Sequence, residues 1–112
     1  MEYGKLRLTF MKEAKDFMES LPHQAASKVY YNIRRVVDGE RDAELFKKLV
    51  GSKIWEFRTL YGGVTYRLFA FWDTREYMLV VVTHGIVKKE QKTPRKEIAK
   101  AEMMMKTYFN ER

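Results

Sequence analysis

The spacing of apolar positions changes several times along the chain, and each change marks an element. Lys5-Leu6-Arg7-Leu8-Thr9-Phe10 alternates polar and apolar, the period of a half-buried strand. Ala14, Phe17, Met18 and Leu21 then recur at helical spacing. Pro22 suits the first turn of a second helix, where a missing N–H costs nothing. Ala26, Val29, Ile33 and Val36 or Val37 make one stripe that ends near Gly39. Between Asp42 and Val50, Leu45, Phe46, Leu49 and Val50 suggest a short helical turn closed by Gly51. Three strand-like runs follow, Lys53–Leu60, Val64–Trp72 and Glu76–Thr83. Thr93-Pro94 is a helix-start pair, Thr as N-cap and Pro at the first helical position. Ile98, Ala101, Met105 and Tyr108 continue that helix on one face.

The predicted order is β-α-α-β-β-β-α. It gives an α+β fold, an antiparallel sheet with helices packed on one face. At 112 residues, without repeats or linkers, the chain reads as a single domain over 1–112. Gly62-Gly63 supplies the positive φ angles of a two-residue hairpin turn. That turn pairs Tyr61 with Val64, Thr59 with Tyr66 and Arg58 with Arg67. Paired residues share a face. One face then carries Trp55, Phe57, Tyr61, Val64, Tyr66, Leu68 and Ala70, a core. The other carries Ile54, Glu56, Arg58, Leu60, Thr65, Arg67, Phe69 and Phe71.

Two arginines directly opposite each other repel. Either Glu56, diagonal to Arg67, bridges both guanidiniums, or an external anion does, since paired arginines present donor forks suited to phosphate. The last strand adds Val80, Val82 and His84 to the arginine face in one register, or Leu79, Val81 and Thr83 in the other. The first is favoured, because it brings His84 to the strand end near Thr65. An imidazole there has an ordinary pKa suited to proton transfer.

Charge sharpens this picture. Lys and Arg number 22 against 15 Asp and Glu, a net charge of +7, which points to an anionic partner, nucleic acid ahead of membrane surface. The run Lys88-Lys89-Glu90-Gln91-Lys92-Thr93-Pro94-Arg95-Lys96 leads into a helix N-terminus, where free N–H groups already favour anions. With no cysteine there is no disulfide, thiolate metal site or cysteine nucleophile. His23 and His84 show no metal-ligand spacing, and there is no phosphate loop, dinucleotide fingerprint or serine-hydrolase elbow. The longest apolar stretch, Tyr77 to Val82, is far too short to span a bilayer. No secretory leader is visible at the N-terminus, so a cytoplasmic location is expected.

Taken together, Ile54-Trp55-Glu56-Phe57-Arg58, Tyr66-Arg67-Leu68-Phe69 and His84-Gly85-Ile86-Val87-Lys88-Lys89-Glu90-Gln91-Lys92-Thr93-Pro94 resemble the HigB-like, phage-derived branch of the RelE/ParE toxin superfamily. Ile86 stands where that pattern has Phe, and the family's further acid–base side chains beyond this strand have no clean match. The resemblance implies a RelE-like fold and the toxin of a type II toxin–antitoxin system. It also implies a metal-independent mRNA endoribonuclease of the ribosomal A site, in which the ribose 2′-hydroxyl attacks the adjacent phosphate. No cofactor is expected. The implied partners are a cognate helix-turn-helix antitoxin, the ribosome and mRNA.

In that chemistry Arg67 with Arg58 would stabilise the phosphorane. Lys88 and Lys89 would assist, or one would act as an acid. His84 is a conditional acid–base group, and Glu56 orients arginine. Lys47, Lys48, Lys53 and Lys92 would hold RNA backbone. Relief of arginine repulsion is expected to let the fold survive loss of Arg67. Two other readings stand beside this one, a ParE-type gyrase inhibitor and a non-catalytic basic domain that binds RNA or its antitoxin.

Overall fold

In the structure, a computed structural model that describes residues 5–89 and 92–111, the elements run in this order: β1 (Arg7–Phe10), α1 (Lys12–Ser20), α2 (His23–Val37), β2 (Phe46–Lys48), β3 (Trp55–Tyr61), β4 (Val64–Asp73), β5 (Leu79–Lys88) and α3 (Arg95–Asn110). Glu90 and Gln91 of the basic run lie outside the described residues. The strands form one sheet in the order β1-β5-β4-β3-β2. Among the described residues no helix is long and apolar enough to cross a membrane.

The glycine turn sets the register at the centre of this sheet. Gly62 and Gly63 take φ of 63° and 83°, and β3 meets β4 with Arg58 opposite Arg67. The two sheet faces are those expected from the sequence. Phe57, Leu68 and Ala70 are buried with Ala14 and Met18 of α1 and Val29, Ile33 and Val36 of α2. On the opposite face Ile54, Phe69, Phe71 and Val81 are buried with Ala101 of α3.

The α+β class holds, and the predicted elements occur in the predicted order with one strand added, with four differences in detail. First, α3 does not join α1 and α2 but covers the opposite face. That face carries Ile54, Phe69 and Phe71, which leave too much apolar surface for water, and the Ile98–Ala101–Met105–Tyr108 stripe closes over it. Second, the sheet is mixed, because β1 runs parallel to β5. Alternation of Leu6, Leu8 and Phe10 determines which face is apolar but not the direction of an edge strand that returns through two helices.

Third, the expected helical turn at 42–50 is a turn followed by a strand. Asp42 caps the turn, its Oδ1 accepting from the Glu44 N–H at 2.9 Å, and β2 then pairs with β3. Phe46 stacks on Trp55 and Phe57 at 4.8 and 4.2 Å, contacts that a helical turn would not align.

Fourth, β5 begins later than expected and contains a bulge. Phe69 pairs with His84 and Ala70 with Val82, so Thr83 is the extra residue. Before the bulge Leu79 and Val81 share the arginine face. After it, His84, Ile86 and Lys88 do. Each of the two registers weighed from sequence is therefore right for half of the strand, and His84 sits opposite Phe69 rather than Thr65. The next residue, Gly85, lies under α1. A Cβ there would fall 2.4 Å from the Phe17 ring, so only glycine lets α1 approach this closely.

Candidate functional site: a buried arginine cluster beside a basic groove

The register places the chemistry-bearing residues in three rows across one face. Lys47, Glu56, Phe69 and His84 form the first, Arg58, Arg67 and Ile86 the second, and Leu60, Thr65 and Lys88 the third. Glu56 stands between the two arginines. Its Oε2 lies 3.6 Å from Arg67 Nη1 and its Oε1 3.7 Å from Arg58 Nε. The carboxylate bridge expected as one way to offset the arginine repulsion is formed.

The bridge is a buried one. The Arg67 and Glu56 side chains have no solvent exposure, whereas the Arg58 side chain is 22% exposed. Two threonines complete the cage. Arg67 Nε donates to Thr65 Oγ1 and Nη1 to Thr93 Oγ1, both at 3.0 Å, and the Thr93 hydroxyl donates to Glu56 Oε2 at 2.9 Å. Thr93 is thus not an N-cap. Pro94 occupies that place without a side-chain cap, and the hydroxyl is spent on the ion pair.

Burial also corrects the expectation that the fold is indifferent to Arg67. Repulsion from Arg58 is already offset by Glu56, so deleting Arg67 would leave a fully buried carboxylate with the partly exposed Arg58 as its one guanidinium and a cavity where the Arg67 stem had packed.

His84 is 2% exposed, and its ring stacks on Phe69 at 5.0 Å. Thr83 Oγ1 lies 2.8 Å from Nδ1 and Glu97 Oε1 3.0 Å from Nε2. Burial holds the imidazole below its ordinary pKa, outweighing the opposite pull of Glu97. Both ring nitrogens are occupied by protein groups, on the same face as the arginines but beneath α3. Lys88 ends β5 opposite Thr65, whose hydroxyl donates to the Lys88 carbonyl at 3.0 Å. Lys89 is exposed just beyond.

Outside the cage runs a groove of about 770 Å³ lined by Lys47, Lys48, Lys92, Thr93 and Arg95 among others. These four cations form no ion pair among the described residues. They flank the uncapped start of α3, whose first N–H groups are unsatisfied within the helix. Thr93 belongs to both structures, one side facing the groove and its hydroxyl reaching Arg67 and Glu56. Lys53 lies apart from this groove, in clefts it shares with Lys48.

Sequence reasoning missed three contributors: Thr93 and Thr65, which hold the arginine, and Glu97, which holds the histidine. For Thr93 the misleading signal was the following proline. Arg95 had been counted with the basic run but not placed at a site. Among the described residues no group of three or more His, Asp or Glu converges to hold a metal ion.

A mixed sheet with two helices on one face and one on the other is a fold already seen in a solved structure. The chain is similar to a chain of the RelBE2 toxin–antitoxin complex from Mycobacterium tuberculosis. The TM-score is 0.57 at 16% identity, over 80% of this chain and 98% of that one, so the fold is RelE-like. Residues 16–106 match the profile of the family described as "Phage derived protein Gp49-like (DUF891)", and the chain belongs to that family. This agrees with the phage-derived, HigB-like resemblance of its motifs. No curated protein matches the sequence significantly.

Proposed function

We propose that this chain is the toxin of a type II toxin–antitoxin system and that it cleaves mRNA on the ribosome. The observation that carries the reading is the groove on whose wall four cations outnumber the single carboxylate of Glu102, itself held by Ser52, and which reaches Thr93, the residue that also holds the Arg67–Glu56 pair. Phosphates following Lys47, Lys48, Lys92 and Arg95 arrive beside the arginine cluster, where charge developing on a phosphorane meets donors fixed in advance.

Exposure divides the two arginines. Arg58 reaches solvent and is the group that touches the scissile phosphate. Arg67, enclosed by Glu56, Thr65 and Thr93, acts with it by holding the local positive charge in place. Lys88 and Lys89, at the end of β5, assist at the leaving oxygen in this reading. His84 can serve in proton transfer only if α3 moves off it. The partner that silences such a toxin would be a cognate helix-turn-helix antitoxin, consistent with a fold seen in a toxin–antitoxin complex.

The deciding experiment is translation of a defined message in a reconstituted system, with the 5′ and 3′ ends mapped. Site-specific cuts that need translating ribosomes and vanish in Arg58→Ala are the expected outcome. Intact mRNA at saturating protein would overturn the nuclease. If DNA supercoiling then failed in the presence of the chain, the gyrase-inhibitor reading would replace it.

A further inference from the structure

We infer that the chain's two tryptophans form a stacking subsite for one base of single-stranded RNA, next to the phosphate groove. The inference deepens the nuclease reading and rests on it for how the RNA arrives. Trp55 opens β3 and Trp72 lies near the end of β4, on the same sheet face, with ring centroids 6.0 Å apart at 78°. Phe46 anchors the inner side of Trp55. Both residues are partly exposed, Trp55 on the strand next to the β2 edge and Trp72 on the strand beyond it.

Two clefts open on these rings. One, of about 410 Å³, has mixed charge on its wall, Glu40 and Asp42 beside Arg41, Lys47 and Lys48. The other, of about 360 Å³, is lined by Lys48, Lys53, Trp55, Trp72, Thr74 and Phe109, with no acidic residue on its wall. Its volume is at the small end for ligand pockets, suited to a single base.

Lys48 makes the connection. It stands opposite Trp55 on the β2 edge and lines both the second cleft and the phosphate groove beside α3. Neither Lys48 nor Lys53 forms an ion pair among the described residues. Partly exposed indoles give any base a π-face, and lysines on either side take the flanking phosphates. The cleft therefore fits an RNA base better than an apolar peptide side chain, which would have no use for the two free ammonium groups.

Trp55 and Trp72 are the only tryptophans in the sequence, so emission excited selectively from tryptophan, away from the tyrosine absorption, reports this site alone. The whole chain is titrated with an oligoadenylate hexamer and, separately, with inorganic polyphosphate. Saturable quenching by the hexamer and none by polyphosphate is expected. Trp72→Leu should weaken the hexamer roughly 5- to 100-fold, the loss of one base stack, and leave polyphosphate binding unchanged. Lys48→Glu, on an exposed edge where the fold is not at risk, should weaken the hexamer at least about tenfold.

Hexamer binding seen by anisotropy with unaltered emission would overturn the subsite. So would equal losses for both ligands in Trp72→Leu, or quenching by an acidic peptide but not by RNA. The nuclease reading is judged separately. RNA-dependent quenching in a chain that cuts no message keeps the subsite and removes the nuclease. Undiminished mRNA cleavage by a folded Trp72→Leu chain does the reverse.

Discussion

The two faces of this sheet are held by different forces. Under α1 and α2 the contacts are apolar, from Ala14, Met18, Val29 and Ile33 to Phe57, Leu68 and Val82, with the Asn32–Thr59 hydrogen bond at one end. Under α3 the apolar patch is smaller, and polar contacts are spaced along the helix and its approach. Thr93 joins Arg67 and Glu56, Glu97 joins His84, Glu102 accepts from Ser52 at 2.7 Å, and Tyr108 donates to Asp73 at 2.7 Å. Apolar packing is non-directional, and its loss scales with what is removed. A buried polar pair behaves otherwise, because deleting one partner leaves the other desolvated and alone, which costs more than deleting both. The face that carries the candidate chemistry is the one whose stability depends on pairs.

The largest effect that tests this contrast is at Arg67. Arg67→Ala should destabilise the fold by about 3–5 kcal/mol, through a buried Glu56 carboxylate left with Arg58 alone, the cavity of the arginine stem and two threonine hydroxyls without their donor. Arg67→Met combined with Glu56→Leu should recover at least half of that, since the two fully buried charges leave together and the partly exposed Arg58 can turn to solvent. On the other face Phe57→Ala should also cost about 3–5 kcal/mol, yet no second truncation at Leu68 should restore any of it. Urea unfolding of the four variants makes the comparison. Equal losses in the single and double variants at Arg67 would show that the two faces do not differ in kind.

The same contrast explains what the sequence could reveal. Alternation and helical spacing reported the α1/α2 face almost completely, because burial there follows from period alone. The Gly62-Gly63 turn fixed the Arg58–Arg67 pairing, since two positive φ angles admit few hairpins. On the α3 face the signals were ambiguous for identifiable reasons. Ile54, Phe69 and Phe71 were read as sharing a face with the arginines, but a strand pattern does not say which later helix covers it. The bulge at Thr83 inverts the parity of β5, and nothing in a run of Val, Val and Thr marks it. Thr93 before Pro94 satisfies the rule for a helix cap, and only the tertiary position of a buried arginine diverts its hydroxyl. The proposed base-stacking role of Trp55 and Trp72 depends on β2, a strand of three residues whose period is too short to read.

A second test falls on the apolar face, where α1 crosses β5. Gly85→Ala places a methyl 2.4 Å from the Phe17 ring, so the ring or the helix must move, at about 1–3 kcal/mol. Phe17→Leu, which vacates that space, should make the alanine nearly neutral when the two are combined. Thermal unfolding of the single and double variants checks it. A Gly85→Ala protein as stable as the parent would mean that α1 can slide on the sheet, and that close packing does not fix this face.

The smallest expected effect is the response to acid, and it should appear on one face only. Burial depresses the His84 imidazole below its ordinary 6.5, so its contribution is complete above that value. Stability is lost as the pH falls from there toward the folded-state pKa, because the unfolded chain takes up a proton that the folded ring refuses. Asp73 follows at lower pH. The Arg75 guanidinium first, then the Tyr108 hydroxyl and the Arg75 backbone N–H, hold its carboxyl at about 2 instead of 3.8. Its contribution is therefore present above 3.8 and lost as the pH falls through about 2, worth about 1–2 kcal/mol once screening of the partly exposed Arg75 is allowed for. Both groups lie at contacts of α3 or beside them. Amide hydrogen exchange at stepwise lower pH should therefore show α3 losing protection before α2. Tyr108→Phe should flatten the lower step by letting the Asp73 pKa drift back toward 3.8. Loss of protection in α2 and α3 together at every pH would mean that the sheet faces unfold as one, and that the polar contacts of α3 give it no acid sensitivity of its own.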